Sequence, residues 1–453
     1  PDDSIVNPAR LSPDLKMDVC RQCHLQGEVS VFRAGKTSLS FRPGMRLSDV
    51  KTIFIREGLP SGDFRIASHG ARLSLSACFS QSRGQLVCTT CHDPHVPVKK
   101  VPRSAFNGTC TGCHDTGTLA SVMDPGAHMA GGDCVQCHMR QGATSDILHV
   151  NFTDHWIRKD IQVLSKNETD SMMTLRPSVP VRLRDFFEQS DPEAGLRLGI
   201  AYVRFYEGRH GHPEYLRRAV TLLEEALRAG HTGPESKDAH YYLGIAFARQ
   251  GKLELARREF QQGVELDPDN VFAQFQLGTV LYQLGRLEGA EGAFREALTV
   301  SPETPKAWKK MGDVYVNQGR FDEGLDAYEN AARIRPGFAA ARNALGGLWA
   351  YHFRDLEKAR TELEIAVTLE PNFTLALHNL GNVHVLLGDD SGALDFFQRA
   401  VTVDPRFAAA HGSLATIYEK RGEREKAIFY LNRLLTLEPG NEDALTLLGR
   451  LNE

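Results

Sequence analysis

The chain has 453 residues, 42% of them apolar, enough for two or three globular domains and with no composition bias toward disorder. A formal net charge of −4 carries none of the basic excess that marks a nucleic-acid partner. No run approaches the roughly 18 consecutive apolar residues of a membrane-spanning helix, and the first twenty residues, rich in Asp, Pro and Arg, do not read as a signal peptide.

The chain begins with Pro1, which reads as a processed product or part of a longer one. All nine cysteines then fall between Cys20 and Cys137. Eight of them form four motifs: CRQCH (Cys20, Cys23, His24), CTTCH (Cys88, Cys91, His92), CTGCH (Cys110, Cys113, His114) and CVQCH (Cys134, Cys137, His138). Two thiols three residues apart can form thioethers to both vinyl groups of one porphyrin, and the adjacent histidine then reaches the iron. Zinc ribbons, redox pairs and disulfides use similar cysteine spacing but do not require a histidine after every second cysteine. The expectation is four covalently bound haems c.

Each iron has a second axial position. His69, His95, His128, His149 and His155 are the candidates, five for four irons, with Met17, Met123, Met129 and Met139 as less favoured ones. His95, in CHDPH, stands three residues after a proximal histidine and is placed to serve a neighbouring haem. If every iron is bis-histidine, no coordination site remains for substrate and the task is electron transfer. About 40 residues per haem predict short helices and loops wrapped around porphyrins that supply most of the apolar surface. Cys78, the ninth cysteine, has no partner in this pattern; an inert buried thiol is expected, an intermolecular disulfide being the alternative.

The stretches NPARLSPDLK (7–16), VCRQCHLQG (19–27), FRPG (41–44), SHGARLSLSACFSQSRGQLVCTTCHDPH (68–95) and DCVQCHMRQGATSDILHVNFTDHWIRK (133–159) resemble bacterial multihaem cytochromes that carry C-terminal tetratricopeptide repeats. The resemblance covers essentially the whole chain. It implies His69, His95, His149 and His155 as the distal ligands, with His128 fitting least, and a packing role for Cys78 beside a haem. Two departures stand out. Relatives carry further haem motifs ahead of the NPARLSP segment, and they show CHMP where this chain has CHMR at 137–140.

Residues 159–190 lose the cysteines and contain Pro177, Pro180, Arg176, Arg182 and Arg184, as expected of a linker between a tetrahaem domain at 1–158 and a second domain at 191–453. Asn167-Glu168-Thr169 matches a glycosylation sequon, as do three other sites, a pattern common by chance. From 191 to 453 the sequence repeats with a period of 34, the tetratricopeptide length. Pro268, Pro302, Pro336, Pro371, Pro405 and Pro439 keep this period apart from one step of 35. Gly244, Gly278, Gly312, Gly346, Gly381 and Gly449 share the register, with Ala415 substituting once. Ala256, Ala290, Gly324, Ala359, Ala393 and Ala427 mark the second helix of each pair.

Small residues are needed where helices cross closely, and proline ends each repeat because it cannot continue a helix. About seven repeats plus a final helix at 443–451 are expected, the first irregular at 192–234 and lengthened by RHGHPE. The repeat histidines, such as His378 and His384, and Trp308 and Trp349 read as packing residues.

The predicted fold is mainly α: an irregular haem-packed multihaem cytochrome domain followed by an α-solenoid of tetratricopeptide repeats. The predicted function is electron transfer outside the cytoplasm, in periplasm, at the cell surface or beyond, with repeats docking redox partner proteins or copies of the same chain, in its sharpest form as a polymeric conduit. The competing classes are a multihaem reductase or oxidase of small nitrogen or sulfur compounds, which needs a five-coordinate haem, and an adaptor with structural haems.

Overall fold

The computed structural model describes residues 10–25, 27–57, 69–82, 85–93, 96–114, 134–139, 141–143, 151–153, 155, 157, 180–188, 191–230 and 236–452. The chain is mainly helical and divides into two compact units, 1–259 and 260–453. Among the described residues no helix is long and apolar enough to cross a membrane.

The first unit opens with helix α1 (Pro13–His24), whose start is favoured by Pro13 in the first turn and Asp14 near the positive end of the helix dipole. Short helices α2 (His69–Ser74), α3 (Ala77–Gln81), α4 (Cys88–Cys91), α5 (Arg103–Thr111) and α6 (Cys134–His138) come next. A three-stranded antiparallel sheet within the first unit was not foreseen: β1 (Val29–Phe32), β2 (Lys51–Arg56) and β5 (Leu183–Asp185), in the order β1-β2-β5. Val31 pairs with Thr52 and Ile55 with Arg184. A separate ribbon joins β3 (Gln141–Ala143) to β4 (Asn151–Thr153).

Thr52, Ile53, Phe54 and Ile55 are all buried, so β2 is covered on both faces and lacks the alternation of a half-exposed strand. One face packs on Leu25, Phe41, Leu47 and Val50. Helix α7 (Ala194–Phe205), the first repeat helix, packs against β1, β2 and β5. Arg204 Nη1 donates to the Ser30 carbonyl at 2.8 Å, and the Leu183 amide donates to the Tyr202 hydroxyl at 3.0 Å. Asp191 joins Arg33 at 3.3 Å to the fully buried Arg197 at 2.5 Å. The end of the predicted linker therefore supplies a strand to the sheet and a docking edge for the first repeat.

Helix α8 (Pro213–Arg228) pairs with α7. Between them the RHGHPE stretch begins in a π-helical turn at Tyr206–His210, ends in Gly211 at φ +42°, and caps α8 through His212, whose Nδ1 accepts from the Glu214 amide at 3.2 Å. Helix α9 (Ser236–Arg249) is next in the chain, and α10 (Leu253–Leu266) spans the boundary between the units.

The second unit continues in antiparallel pairs: α11 (Val271–Gln283) with α12 (Leu287–Val300), α13 (Pro305–Asn317) with α14 (Phe321–Ile334), α15 (Ala339–Leu348) with α16 (Leu356–Leu369). Then come α17 (Thr374–Leu386) with α18 (Asp390–Val403), α19 (Ala408–Lys420) with α20 (Arg424–Leu437), and the single helix α21 (Glu442–Asn452). The glycine register has the predicted cause. A Cβ on Gly278 would lie 2.8 Å from Phe294, one on Gly312 2.5 Å from Tyr328, and one on Gly381 2.5 Å from Phe397. Gly346 meets Leu363 in the same way.

The single 35-residue step also has a structural cause. Helix α15 ends in a π-helical turn, Trp349–Phe353, which absorbs the extra residue. The turn between the helices of the pair then falls on Arg354 at φ +59°, where Gly285, Gly319, Gly388 and Gly422 stand at φ +73° to +81° in the other repeats. His378 and His384 bond Ser413 and Asp389, and Trp308 Nε1 donates to the Pro302 carbonyl at 2.7 Å. These are packing and capping roles.

Candidate haem-attachment site

The four motifs share one local geometry. Each begins in a short helix, where residues i and i+3 lie on one face. Cys20 and Cys23 occupy the last turn of α1, Cys88 and Cys91 bound α4, Cys110 lies in the last turn of α5 with Cys113 just beyond it, and Cys134 opens α6. The amides of His92 and His114 donate to the carbonyls of Cys88 and Cys110, both at 3.0 Å, which carries each helical turn onto the histidine. The described thiols are free, and all are half-buried or exposed. Paired reduced thiols beside a histidine fit thioether attachment of haem c, for which that histidine would be an iron ligand. The side chains of His24 and Cys137 lie outside the described residues, as do His95, His128, His149, Met123 and Met129.

Three histidines separated widely in sequence come together. The ring centroids of His92 and His155 are 5.9 Å apart, and those of His155 and His69 are 4.4 Å apart. The His155 ring places Nδ1 3.1 Å from the Thr153 carbonyl, so that contact favours a proton on Nδ1 and leaves Nε2 as the acceptor nitrogen. The His155 backbone is held by the fully buried Ser76: the Ile157 amide donates to Ser76 Oγ at 2.8 Å, and Ser76 Oγ donates to the His155 carbonyl at 3.3 Å. Phe106 packs edge-on to His92 at 5.8 Å. Among the described residues no three His, Cys, Asp or Glu side chains converge as a ready metal cage. A haem iron asks less of the protein, two axial imidazoles at most, because the porphyrin fills the plane.

The sulfurs of different motifs also meet. The Cys88 amide donates to Met17 Sδ at 3.4 Å, and the Cys88 thiol lies 3.6 Å from the same sulfur and hydrogen-bonds Cys20. That bond, helped by Arg21 and opposed by burial, brings the Cys20 thiol down to about 7. Burial and the neighbouring Cys134 push the Cys110 thiol up to about 11, and burial raises Cys91. Met17, one of the less favoured axial candidates, is a buried packing residue between two motifs. Cys78, expected as an inert buried thiol, is half-buried and close enough to Cys110 to influence it.

Sequence reasoning did not single out Ser76, whose role depends on a contact 81 positions away. Nor did it single out Arg72, fully buried one helical turn from His69. A Ser or Arg in a loop-rich segment carries no sign of such burial.

Comparison with known proteins is consistent with this division. The tetratricopeptide repeat model matches residues 216–271, 249–307, 275–338, 309–372, 350–406 and 387–451. A doubled CXXCH motif matches 82–118, which holds the second and third motifs. No curated protein matches the chain.

Similar solved structures include the APC/C hetero-tetramer Cut9-Hcn1, 19% identical with a TM-score of 0.46, over 58% of this chain and 53% of that one, so about half of that protein's length is spanned. A tetratricopeptide repeat protein from Parabacteroides merdae is 16% identical with a TM-score of 0.47, over 57% of this chain and 99% of that one. PilF of Pseudomonas aeruginosa is 18% identical with a TM-score of 0.43, over 48% and 98%. The chain thus carries tetratricopeptide repeats in its C-terminal region and, ahead of them, a doubled CXXCH motif of the haem-binding kind.

Proposed function

We propose that the chain is an extracytoplasmic electron-transfer protein holding four haems c, with no catalytic turnover of its own and with repeats that dock a redox partner. The observation that carries this reading is the approach of His155 to His92. Imidazole–metal bonds of about 2 Å on each side put two ring centroids about 6 Å apart, close to the spacing of these rings. The haem, when bound, supplies an iron that cycles between ferric and ferrous. The cysteine pairs would anchor it, and the motif histidine, with a second imidazole such as His155 at the His92 motif, would be the iron's protein ligands. With both axial positions filled, small substrates are kept off the metal.

Attachment by thioether requires reduced thiols and delivered haem, and the resemblance to c-type cytochromes supports maturation on the far side of a bacterial cytoplasmic membrane. In its sharper form the proposal includes self-assembly into a filament, supported by the final helix α21, where Leu445 is exposed and Gly449 faces open space.

Carbon monoxide added to the reduced holoprotein tests the reading. Little change in the haem spectrum is expected, whereas a substantial reactive fraction favours the reductase class. His155→Ala should create one carbon monoxide-reactive haem. Haems that cannot be reversibly reduced would favour the adaptor, and a protein that remains monomeric at high concentration would end the filament form.

A further inference from the structure

The sequence leaves the order of the haems open, because 64 positions separate the first motif from the second and include a sheet strand pair. The motif helices resolve it. Helix α1 packs against α4, α4 against α5, and α5 against α6. At the first junction Met17 of α1 meets Cys88 through its sulfur, at 3.4 Å from the amide and 3.6 Å from the thiol. At the second, the Thr109 hydroxyl of α5 donates to the Thr90 carbonyl of α4 at 3.4 Å. At the third, the Cys134 amide of α6 donates to Asn107 Oδ1 of α5 at 3.1 Å.

The side chains keep the order of the helices: Cys20 bonds Cys88, and Cys110 has Cys91 and Cys134 as its neighbours. A covalently attached porphyrin stays within a bond of its cysteines, so adjacent attachment sulfurs hold adjacent porphyrin edges.

Resting on the haem-carrying reading above, the structure assigns the haems a single file in chain order, the Cys20–Cys23 haem beside the Cys88–Cys91 haem, then Cys110–Cys113, then Cys134–Cys137. Among these four haems the first and last are then the outer members of the file. Met17 is a positioning residue at the first junction. The end at α1 is braced from the sheet side: Asp18 accepts from the Leu47 amide at 3.0 Å and from Arg21 at 3.1 Å, and the Arg21 guanidinium lies over the Phe186 ring at 5.5 Å.

The test is an electron cryo-microscopy map of the full-length holoprotein, each iron assigned through its motif. Nearest-iron pairs one-two, two-three and three-four are expected; a first haem whose nearest iron belongs to the third or fourth motif overturns the order. In solution, Met17→Leu in the holoprotein should shift the midpoint potentials of the first and second haems and leave the fourth in place. An equal shift at the fourth would count against the file. These outcomes are separate from those of the functional reading, which fails on haem content or reversibility of reduction, while the neighbour order is read from whatever haems the map contains.

Discussion

At the residue scale the glycine register makes the plainest energetic claim. Gly312 lies where a methyl group would stand 2.5 Å from Cε1 of Tyr328. That ring is buried, and its hydroxyl donates to Asp313 Oδ1 at 2.9 Å, so it cannot retreat without losing the bond. Gly312→Ala is expected to destabilise the protein by about 1–3 kcal/mol, the usual cost of overpacking. Gly347, in the same kind of helix, has open space where its Cβ would be. Gly347→Ala should therefore stabilise by about 0.5–1 kcal/mol through helix propensity alone. Urea midpoints of the two variants should move in opposite directions, and movement in the same direction would refute the close-crossing account.

Elements are joined by a few buried polar links, of which α9 to α10 is the clearest. His240 Nδ1 and Glu259 Oε2 are 2.9 Å apart, and Arg258 donates to the other oxygen of Glu259 at 2.9 Å. Burial works to raise the Glu259 pKa, but the hydrogen bonds from His240 and Arg258 outweigh it and hold the carboxyl below its ordinary range. A depressed carboxylate contributes stability that is present above the unfolded-state pKa and is lost as pH falls through the folded-state value. Stability should decline as pH is lowered from 7 toward about 4. In Glu259→Gln that contribution disappears, so the variant should start weaker at pH 7 and show a shallower acid loss. Parallel denaturation curves at both pH values for the two proteins would disprove this assignment.

For the whole molecule, the contrast between its two units predicts unequal dependence on haem. Unit 260–453 contains no cysteine and is stabilised by contacts between helices that are neighbours in sequence. Such arrays fold by local pairing, and each pair needs only its neighbours. Among the described residues the motif region has small cores and short helices, so a cofactor held by its cysteines would supply much of its apolar contact. Replacing all eight motif cysteines with alanine in the full chain should leave a cooperative helical unfolding transition from the repeats. The segments carrying the motifs should become open to proteolysis. A chain that loses all helical cooperativity would show instead that the repeats rely on the haem region.

The sequence alone determined the repeats, the motif positions and the type of cofactor chemistry, because each is carried by local spacing. A 34-residue period, a proline after each second helix and a histidine after each CxxC are all properties of neighbours along the chain. It also carried the mark of an irregular repeat, in the 35-residue step, without showing that a π-helical turn and Arg354 absorb it. Tertiary structure alone decided what depends on distant partners. Leu183–Asp185 joins strands more than 120 residues earlier only because the edge of β2 was left to pair, and Ser76 holds His155 only because two loops meet. The same holds for His155 and His69 gathering at His92, and for α1 meeting α4. Hydrophobic patterning directs a helix face toward a core, but it does not say which distant loop will lie on the other side, and that choice set the histidine cluster and the packing order of the motif helices.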